Sequence, residues 1–362
     1  MKRVLLVGAG HAHAFLLAAL ARSPIQGADI TLVSPYERQI YSAMLPGVIA
    51  GHYRRAEAEF DVAALAARAG AQFVAGEVVR FDAGERLVTL ADGRSAVYDI
   101  ASLNAGSRTE LGVPGAAELA LPVKPYERLL ERLRIISRVA IAGGGASGAE
   151  LAMALRHRGG EVTLYSESTP FPPPLAERIE RALRARRVDY RPGMRVDALE
   201  PGPVVVAGRS RQQFDVVLWA AGAAPLAWLA KSGLGLDEGG FVRIDPGLRS
   251  VSHPEVFAVG DCAALGEAKS GVHAVRQGRL LEQNLRNLLL GWPMHRYEPQ
   301  PRALLLLTCG ARYAIAARGD WSAEGRWAWW WKYWIDRHWM AFLGGKKRAP
   351  SQATAPLSEK RR

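Results

Sequence analysis

Residues 139–148 read VAIAGGGASG, an apolar stretch that leads directly into a glycine-rich turn. The glycines Gly143, Gly145 and Gly148 have the G-x-G-x-x-G spacing of a dinucleotide-binding turn. In such a turn the first glycine allows the bend, the second lets a pyrophosphate approach the backbone, and the third lets helix and strand pack closely. The stretch therefore predicts a strand, a helix whose N-terminus faces phosphates, and a second strand over residues 161–165.

A related pattern occurs 135 positions earlier, where residues 4–10 read VLLVGAG. Gly8 and Gly10 fill the first two glycine positions, but the third is His13. An imidazole there predicts either a looser contact between helix and strand or a side chain that points outward over the phosphates. His11 also lies beside the turn, but residues two apart on a helix do not share a face, so the two histidines predict no metal site.

The duplication extends further along the chain. Each copy is followed by an apolar strand that ends in a small-residue turn, at residues 104–107 and 220–223. Repetition of strand, glycine turn, helix and strand predicts an α/β fold with two Rossmann-like dinucleotide-binding units.

A third signal comes late, where residues 256–263 read VFAVGDCA. A strand that delivers Gly260 and Asp261 to a sheet edge suits a carboxylate that accepts hydrogen bonds from a sugar-alcohol hydroxyl. A helix predicted over residues 272–290 begins beside Gly271, where its N-terminus would stabilise negative charge on a ring carbonyl. The simpler alternative is an aspartate that caps a helix.

Composition limits the protein class. The chain has 362 residues and 39.3 kDa, is 49% hydrophobic and 23% charged, and carries a net charge of +12. This is a globular profile whose basic surface favours anionic partners. Two cysteines, Cys262 and Cys309, exclude a disulfide framework, a C-x-x-C redox pair and a cysteine zinc site. We see no export signal or spanning segment and expect a cytoplasmic protein.

The remaining segments predict smaller elements. Residues 73–98 predict an antiparallel meander, and residues 112–125, with three prolines and two glycines, predict a crossover between domains. Residues 303–308 and 313–317 predict a strand pair before a helix over residues 326–342. We expect the polar, basic tail over residues 344–362 to be disordered.

The predicted C-terminal helix is rich in tryptophan, since seven of the ten tryptophans lie between Trp321 and Trp339. Indoles prefer a boundary between water and an apolar phase, and basic residues favour anionic lipid. We therefore expect the helix Trp327–Phe342 to contact a membrane surface; packing on the protein body or at a homodimer interface is the alternative. The predicted wet–dry face comprises Trp327, Trp330, Trp331, Trp334 and Ile335, continued by Trp339 and Phe342, and the basic residues are Arg326, Lys332, Arg337, Lys346, Lys347, Arg348, Lys360, Arg361 and Arg362. No module typical of nucleic-acid binding is present.

Neither copy has the ribose-binding acid in its simplest position. The first nucleotide strand ends at Ser34 and the second at Ser166, with Glu167 one place later. A carboxylate in this position repels a 2′-phosphate, so serine weakens exclusivity for NADH. The choice between NADH and NADPH stays open.

The order of two dinucleotide units and a late Val-Gly-Asp resembles the FAD-dependent pyridine nucleotide-disulfide oxidoreductases, and most closely the type II NADH dehydrogenases and sulfide:quinone reductases. Five stretches, residues 10–13, 41–53, 122–125, 275–278 and 324–327, resemble a branch often fused ahead of selenide, water dikinase. The resemblance covers residues 1–342.

This resemblance implies FAD as cofactor and NAD(P)H as co-substrate. Glu150 resembles the glutamate that type II dehydrogenases place near nicotinamide and flavin, and is the predicted catalytic residue. The implied FAD-binding residues are Gly8, Gly10, His11, Ser34, Pro46, Ala105, Gly106, Gly260, Asp261 and His273. The implied NAD(P)H-binding residues are Gly143, Gly145, Ser147, Gly148, Ser166, Glu167, Ala221 and Gly222.

The resemblance also implies a domain organisation. A discontinuous FAD domain would comprise residues 1–110 and 235–300, with the NAD(P)H domain, residues 111–234, inserted in it and a C-terminal region over residues 301–343. Because no cysteine pair follows the first unit, a thiolate relay is excluded and electrons must leave the flavin directly. We expect an NAD(P)H dehydrogenase with a quinone-like acceptor, peripheral on the inner face of the cell membrane. The helix Trp327–Phe342 would then wall the quinone entrance. The alternatives are a sulfide:quinone reductase, a flavin redox sensor or electron-delivery partner linked to selenium metabolism, and a scaffold that has lost flavin.

Overall fold

Two five-stranded parallel sheets form the centre of the protein. The computed structural model describes residues 1–133, 137–266, 269, 271–300 and 302–345. The strands of the first sheet are, in spatial order, Val256–Ala258, Ile100–Leu103, Lys2–Val7, Ala28–Ser34 and Gln72–Ala75. Those of the second are Ala120–Pro122, Val216–Trp219, Arg138–Ala142, Glu161–Ser166 and Asp189–Pro192. The predicted α/β fold is confirmed.

In each sheet, the chain continues from the central strand to the strands on one side and returns later to the other side. In the first sheet, Lys2–Val7 pairs with Ala28–Ser34 on one side and with Ile100–Leu103 on the other. In the second, Arg138–Ala142 stands between Glu161–Ser166 and Val216–Trp219. Parallel sheets bind ligands in the crevice at this point, outside the carboxyl ends of the strands. The fold therefore creates one nucleotide crevice in each sheet.

The predicted crossover over residues 112–125 is wrong in part. It contains the short helix Ala116–Leu119 and the strand Ala120–Pro122, which pairs with Val216–Trp219 at the edge of the second sheet. The corresponding edge strand of the first sheet, Val256–Ala258, comes late in the chain instead. The edge strand of the second sheet thus precedes the other strands of that sheet in the chain, whereas the edge strand of the first sheet follows them.

Smaller antiparallel sheets accompany the two parallel ones. The predicted meander begins at Val78, because Phe73 lies in the parallel strand Gln72–Ala75. The three-stranded sheets are Val78–Asp82 with Leu87–Leu90 and Ser95–Val97, Ala198–Glu200 with Val204–Ala207 and Ser210–Gln213, and Leu305–Thr308 with Ala314–Arg318 and Trp321–Gly325. The strand pairs are Arg38–Ile40 with Glu59–Asp61, Arg108–Thr109 with Ala223–Ala224, and Val242–Arg243 with Ala263–Ala264.

Four helices position the site. We call them the first-turn helix (His11–Leu20), the second-turn helix (Ala146–His157), the long helix (Gly271–Leu290) and the tryptophan helix (Arg326–Leu343). The shorter helices are Leu45–Ile49, Arg55–Ala58, Val62–Arg68, Ala116–Leu119, Tyr126–Arg132 and Pro173–Ala185, with 3-10 turns at Ser42–Met44, Ala227–Lys231 and Gly260–Cys262.

The first-turn and long helices pack closely on each other. A Cβ at Gly278 would come within 2.6 Å of the Ala12 carbonyl oxygen, so this position of the long helix requires glycine. The C-terminal end of the tryptophan helix packs on the same core through Trp339 and Phe342. Within the described ranges, no helix is both long enough and apolar enough to cross a bilayer. The predicted tail lies outside the described residues from position 346 onward.

Candidate functional site

The first glycine turn brings backbone into close contact. Gly8 has a φ of 84°, and a Cβ there would lie 2.6 Å from the Ala105 Cα. A Cβ at Gly10 would lie 2.6 Å from the Asn104 Oδ1. Gly10 is also the N-cap of the first-turn helix and supplies no side chain to cap it. Backbone N–H groups and the positive end of the helix dipole are therefore presented at the sheet crevice.

A cavity of about 670 Å³ opens in this crevice. Its volume lies within the range of roughly 300–1,000 Å³ of small-molecule and cofactor sites. Seven predicted FAD-binding residues line it: Gly8, Gly10, His11, Ala105, Gly106, Gly260 and Asp261. The cations on its wall are Arg108, Lys124, Arg128 and Lys269. The carboxylates of Glu77, Glu127 and Asp261 also line the cavity, so its wall has a small excess of positive charge.

Asp261 is held by two polar side chains within the cavity. The Lys124 Nζ lies 2.5 Å from its Oδ2, and the Ser107 hydroxyl donates to the same oxygen over 3.2 Å. Burial opposes ionisation of Asp261, but the Lys124 ammonium prevails and lowers the pKa of the carboxyl. The sequence analysis assigned no role to Lys124 or Ser107. The Pro-Val-Lys-Pro stretch was noted as part of the family resemblance, but nothing in it pointed to Asp261, which lies 137 positions further along the chain.

His13 occupies the position of the third glycine. Its side chain points inward, so the expectation of an outward side chain is wrong. Its Nδ1 lies 2.5 Å from the Gly8 carbonyl oxygen and its Nε2 lies 2.8 Å from the Ser102 Oγ. A carbonyl only accepts, so Nδ1–H donates to Gly8 and Nε2 accepts from the serine hydroxyl. Burial lowers the pKa of His13 to about 4, so this imidazole is neutral at pH 7.

His11 lies on the wall of the cavity. Its Nε2 is 3.3 Å from the Ser42 Oγ, and a Cβ at Gly271 would be 3.7 Å from the same nitrogen. Burial lowers the pKa of His11 to about 4. Its ring stacks 6.4 Å from Trp339 of the tryptophan helix. His11 therefore connects the cavity wall to the C-terminal region.

Three predicted FAD-binding residues are not on the cavity wall. Ser34 is fully buried and its hydroxyl donates to the Tyr36 carbonyl over 3.3 Å, whereas the flanking residues line the cavity. Pro46 is buried within the helix Leu45–Ile49. His273 lies 3.2 Å from the Tyr297 hydroxyl.

A second cavity of about 540 Å³ opens at the second glycine turn. Gly143, Gly145, Glu167, Ala221 and Gly222 line this cavity. Gly143 has a φ of 121°, and a Cβ at Gly145 would meet nothing within 4 Å, which leaves its backbone open to a ligand.

The other predicted NAD(P)H-binding residues have different positions. A Cβ at Gly148 would lie 1.8 Å from the Gly143 carbonyl oxygen, so the third glycine serves helix–strand packing. Ser147 is exposed on the first turn of the second-turn helix. Ser166 is buried and does not line the cavity.

Glu150 connects the second-turn helix to the strand Leu305–Thr308, which belongs to the last three-stranded sheet of the chain, here called the C-terminal sheet. Its Oε1 accepts hydrogen bonds from the Thr308 backbone N–H at 2.7 Å and from the Thr308 hydroxyl at 2.8 Å. Burial raises the pKa of Glu150, and the nearby Lys332 ammonium acts against this rise. The carboxylate does not line either described cavity, but it lies close to the tryptophan helix.

Both thiols are buried. The Cys262 Sγ lies 3.2 Å from the carbonyl oxygens of Leu103 and Val259, and burial raises its pKa to about 11. Burial raises the pKa of Cys309 to about 12. The thiolate is the reactive form of cysteine, and neither environment favours it.

The tryptophan helix has an exposed aromatic face and a buried polar one. Trp327, Trp330 and Trp334 are 47–49% exposed. Trp339 and Phe342, predicted to continue this face, are instead buried against the first-turn helix. They lie five and eight residues beyond Trp334, which rotates them by about 140° and 80° around the helix axis, toward the protein core.

The placement of Lys332 in the basic surface group is also wrong. Its Nζ bonds to the Ala43 carbonyl oxygen and to the Asp336 Oδ2, both at 2.7 Å, and both charged side chains are less than a tenth exposed. Tyr41 adds a side-chain hydrogen bond to Asp336. Arg326 and Arg337 are exposed, and the other predicted basic residues lie outside the described part of the chain.

The first cavity fits the predicted FAD. It combines an uncapped helix N-terminus and lining cations, which suit a diphosphate, with a carboxylate that suits a ribitol hydroxyl. A Cβ at Gly106 would meet nothing within 4 Å, so this backbone is open to a ligand as well. Within the described residues, no three side chains of histidine, cysteine, aspartate or glutamate group together as metal ligands would.

Comparison with known proteins supports this assignment. An NADH dehydrogenase-like protein of Bacillus subtilis is 25% identical over 318 residues, covering 83% of this chain and 87% of the relative. An NADH dehydrogenase-like protein of Mycobacterium tuberculosis is 30% identical over 260 residues, 62% of this chain and 65% of the relative. The sulfide:quinone oxidoreductase structure of Aquifex aeolicus has the same fold, with a TM-score of 0.79, 17% identity, and 95% and 92% of the two chains covered.

The family model of the pyridine nucleotide-disulphide oxidoreductases matches residues 2–278. The predictions of an oxidoreductase, of FAD and of a pyridine nucleotide are thereby confirmed at the level of the family. The narrower resemblance to the branch fused to selenide, water dikinase stays a prediction. The chain belongs to the pyridine nucleotide-disulphide oxidoreductase family.

Proposed function

We propose that this protein is an FAD-dependent NAD(P)H dehydrogenase that delivers electrons to a quinone-like acceptor at a membrane surface. The nicotinamide nucleotide binds in the second cavity, whose wall includes Gly143, Gly145 and Gly222. FAD binds in the first cavity, where the first glycine turn faces its diphosphate and Asp261 its ribitol. When bound, FAD supplies a two-electron carrier between the nicotinamide and the acceptor.

The environment of the thiols supports direct transfer to the acceptor. A disulfide-relay enzyme needs a reactive cysteine pair, whereas Cys262 and Cys309 are both buried and have raised pKa values. The same environment argues against the sulfide:quinone reductase alternative, which also depends on reactive thiols. The likeness to such a reductase is one of fold.

One observation carries the proposal of a membrane-associated acceptor: the tryptophan helix reaches from the exposed indoles to the wall of the first cavity. Its Lys332 bonds to the Ala43 carbonyl, next to the cavity-lining Ser42, and its Trp339 stacks on His11. On the outside, Trp327, Trp330 and Trp334 expose nearly half of their surface. An apolar acceptor dissolved in the bilayer would leave lipid at this helix and reach the cavity wall beside Ser42 and His11.

Glu150 lines neither described cavity, but it lies close to the tryptophan helix, where it would serve the acceptor as a proton donor. It is anchored by Thr308 in the C-terminal sheet, and Lys332 lies close enough to influence its pKa. A carboxylate whose pKa is raised by burial holds a proton more readily, and reduction of a quinone to a quinol consumes two electrons and two protons.

The proposal is tested by following the flavin absorbance anaerobically. Addition of NADH or NADPH to the yellow protein should bleach it within seconds, and a short-chain quinone should restore the colour. Glu150→Gln should slow at least one of these half-reactions by roughly 100-fold or more, since proton transfer by a positioned side chain contributes a factor of about 10²–10⁴. The exposed Glu161, which lies at the far end of the neighbouring strand, gives the control variant Glu161→Gln.

Three outcomes would contradict the proposal. Bleaching over minutes without recovery by quinone would favour a redox sensor. A colourless protein that takes up no FAD would favour a scaffold. If the bleached protein regains its colour with another acceptor but not with any quinone tested, a quinone is excluded as the acceptor.

A further inference from the structure

Ser166 occupies the position at which a carboxylate usually binds the ribose, but its side chain points into the protein. A Cβ placed on Gly144 would lie 1.8 Å from the Ser166 Oγ, so the serine fills the space above the glycine turn. Its hydroxyl donates to the Ser168 carbonyl oxygen over 2.8 Å. Recognition of the ribose therefore passes to other residues at the end of the strand Glu161–Ser166.

Two charged residues face each other at this end of the second cavity. Glu167 and Arg195 both line the cavity, and the Glu167 Oε1 lies 3.7 Å from an Arg195 terminal nitrogen. The Met194 N–H donates to the Ser166 carbonyl oxygen over 3.1 Å, which holds the segment with Arg195 against the strand end. Both side chains are more than half exposed, at 65% and 62%, so each is free to turn toward a ligand.

The two side chains have opposite preferences for the ribose 2′ position. A carboxylate accepts hydrogen bonds from the hydroxyls of NADH and repels the 2′-phosphate of NADPH. A guanidinium binds that phosphate through two parallel N–H groups. An exposed ion pair is held only weakly, so a ligand opens it at little cost.

We propose that the Glu167–Arg195 pair determines selectivity at the ribose 2′ position and allows the site to accept both NADH and NADPH. With NADH, Glu167 binds the ribose hydroxyls. With NADPH, Arg195 leaves Glu167 and binds the 2′-phosphate. This inference rests on the proposed function, in which the second cavity holds the nicotinamide nucleotide.

The test compares kcat/KM for NADPH and NADH in the FAD-loaded protein, as a ratio. The wild-type ratio should lie within about tenfold of one, because neither preference dominates. Glu167→Gln should raise the ratio at least roughly tenfold by removing the repulsion, and Arg195→Ala should lower it by a similar factor. The double variant should return toward the wild-type ratio.

A matched pair at the other end of the same strand provides the control. Glu161 and Arg138 are also exposed and also 3.7 Å apart, but they do not line the cavity. Glu161→Gln and Arg138→Ala should leave the ratio within about twofold of the wild type, as surface substitutions away from a site do. The inference is overturned if the Glu167 and Arg195 variants change the ratio no more than these controls, or change it in the same direction.

A binding measurement separates this inference from the proposed function. Calorimetry with adenosine 2′,5′-bisphosphate and with 5′-AMP requires no electron transfer. Arg195→Ala should weaken the bisphosphate selectively, and Glu167→Gln should strengthen it. If these fragments behave as expected in a protein that transfers no hydride, the proposed function fails and the inference stands. If the protein turns over but neither fragment responds, or if neither fragment binds, the inference fails.

Discussion

At the scale of single residues, His13 and Gly148 show two solutions to one packing problem. In the second unit, the glycine lets the Gly143 carbonyl approach to a distance that a Cβ would forbid. In the first unit, a neutral imidazole bonds the Gly8 carbonyl and reaches on to Ser102 in the neighbouring strand. The histidine therefore joins turn, helix and neighbouring strand by hydrogen bonds. The glycine joins only the turn and the helix, and does so by close contact.

This arrangement predicts that restoring the glycine consensus destabilises the protein. His13→Gly removes both hydrogen bonds, leaves a buried cavity and places glycine inside a helix, at a cost of about 2–4 kcal/mol at pH 7. The cost should shrink as the pH falls. The folded-state pKa of His13 is about 4, below the ordinary value of 6.5, so wild-type stability is complete above pH 6.5 and declines toward pH 4.

Urea unfolding followed by tryptophan fluorescence, at one fixed FAD concentration and a series of pH values, measures both effects. The coupling between the two side chains is obtained by making Ser102→Ala in the wild type and in His13→Gly. The substitution should destabilise the wild type but not the His13→Gly variant, in which the histidine partner is missing. A His13→Gly variant as stable as the wild type at pH 7 would contradict this account of the turn.

At the scale of elements, the tryptophan helix depends on a buried ion pair. Lys332 and Asp336 are one helical turn apart, and Ala43 and Tyr41 complete their hydrogen bonds. Burial raises the pKa of Asp336, which the Lys332 charge opposes. A buried pair of this kind is sensitive to the loss of one partner, because the other charge is then left unpaired.

Lys332→Met should destabilise the protein by about 3–5 kcal/mol, since it leaves Asp336 buried with only a tyrosine hydroxyl. The double variant Lys332→Met/Asp336→Leu should recover at least half of this loss, because no buried charge remains. Both are measured by urea unfolding at pH 7.

The exposed pair of Glu180 and Arg184, also one turn apart on a helix, is the control. Arg184→Met should cost no more than about 0.5 kcal/mol. Equal losses in the single and double Lys332 variants would show that packing of the side chain, and not its charge, holds the helix.

The elements differ in how far the sequence predicts them. The turns at Gly8 and Gly143 carry their signal within a few residues, so both nucleotide units are predictable. The strand Ala120–Pro122 is not, because its partner Val216–Trp219 lies far along the chain and because the strand itself ends in a proline. The contact of Lys124 with Asp261 is hidden for the same reason.

The tryptophan helix shows a second limit of the sequence. Its bounds are predicted within one residue, whereas the side facing the protein is not. An indole suits a core and a membrane interface equally well, so composition alone cannot separate Trp339 from Trp334. Likewise, nothing in the sequence around Lys332 indicates that this lysine is buried.

At the scale of the whole molecule, net charge and aromatic surface combine. The chain carries a net charge of +12, and the exposed indoles lie on a helix that begins with the exposed Arg326. Attraction to anionic lipid acts at a distance of about 10 Å at ordinary ionic strength and falls with salt, whereas inserted indoles hold by apolar contact. The two contributions can be measured separately.

Flotation with vesicles of equal parts phosphatidylglycerol and phosphatidylcholine should recover the protein at low salt. Trp330→Ser/Trp334→Ser should weaken this binding by roughly tenfold, since each indole buried at the interface contributes by its apolar area. Trp292→Ser, which removes a 62% exposed tryptophan elsewhere, should leave binding unchanged. Absence of lipid association at low salt, or equal effects of both sets of substitutions, would remove the membrane contact.

The late edge strand of the first sheet governs how the nascent chain acquires its shape. About 150 residues separate Leu103 from Val256, and a ribosome adding about 5–20 residues per second needs roughly 8–30 s to produce them. During that time the second sheet can be finished while the first still exposes one side to water. The first sheet therefore keeps an unpaired strand edge for longer than the second, although most of its strands leave the ribosome first.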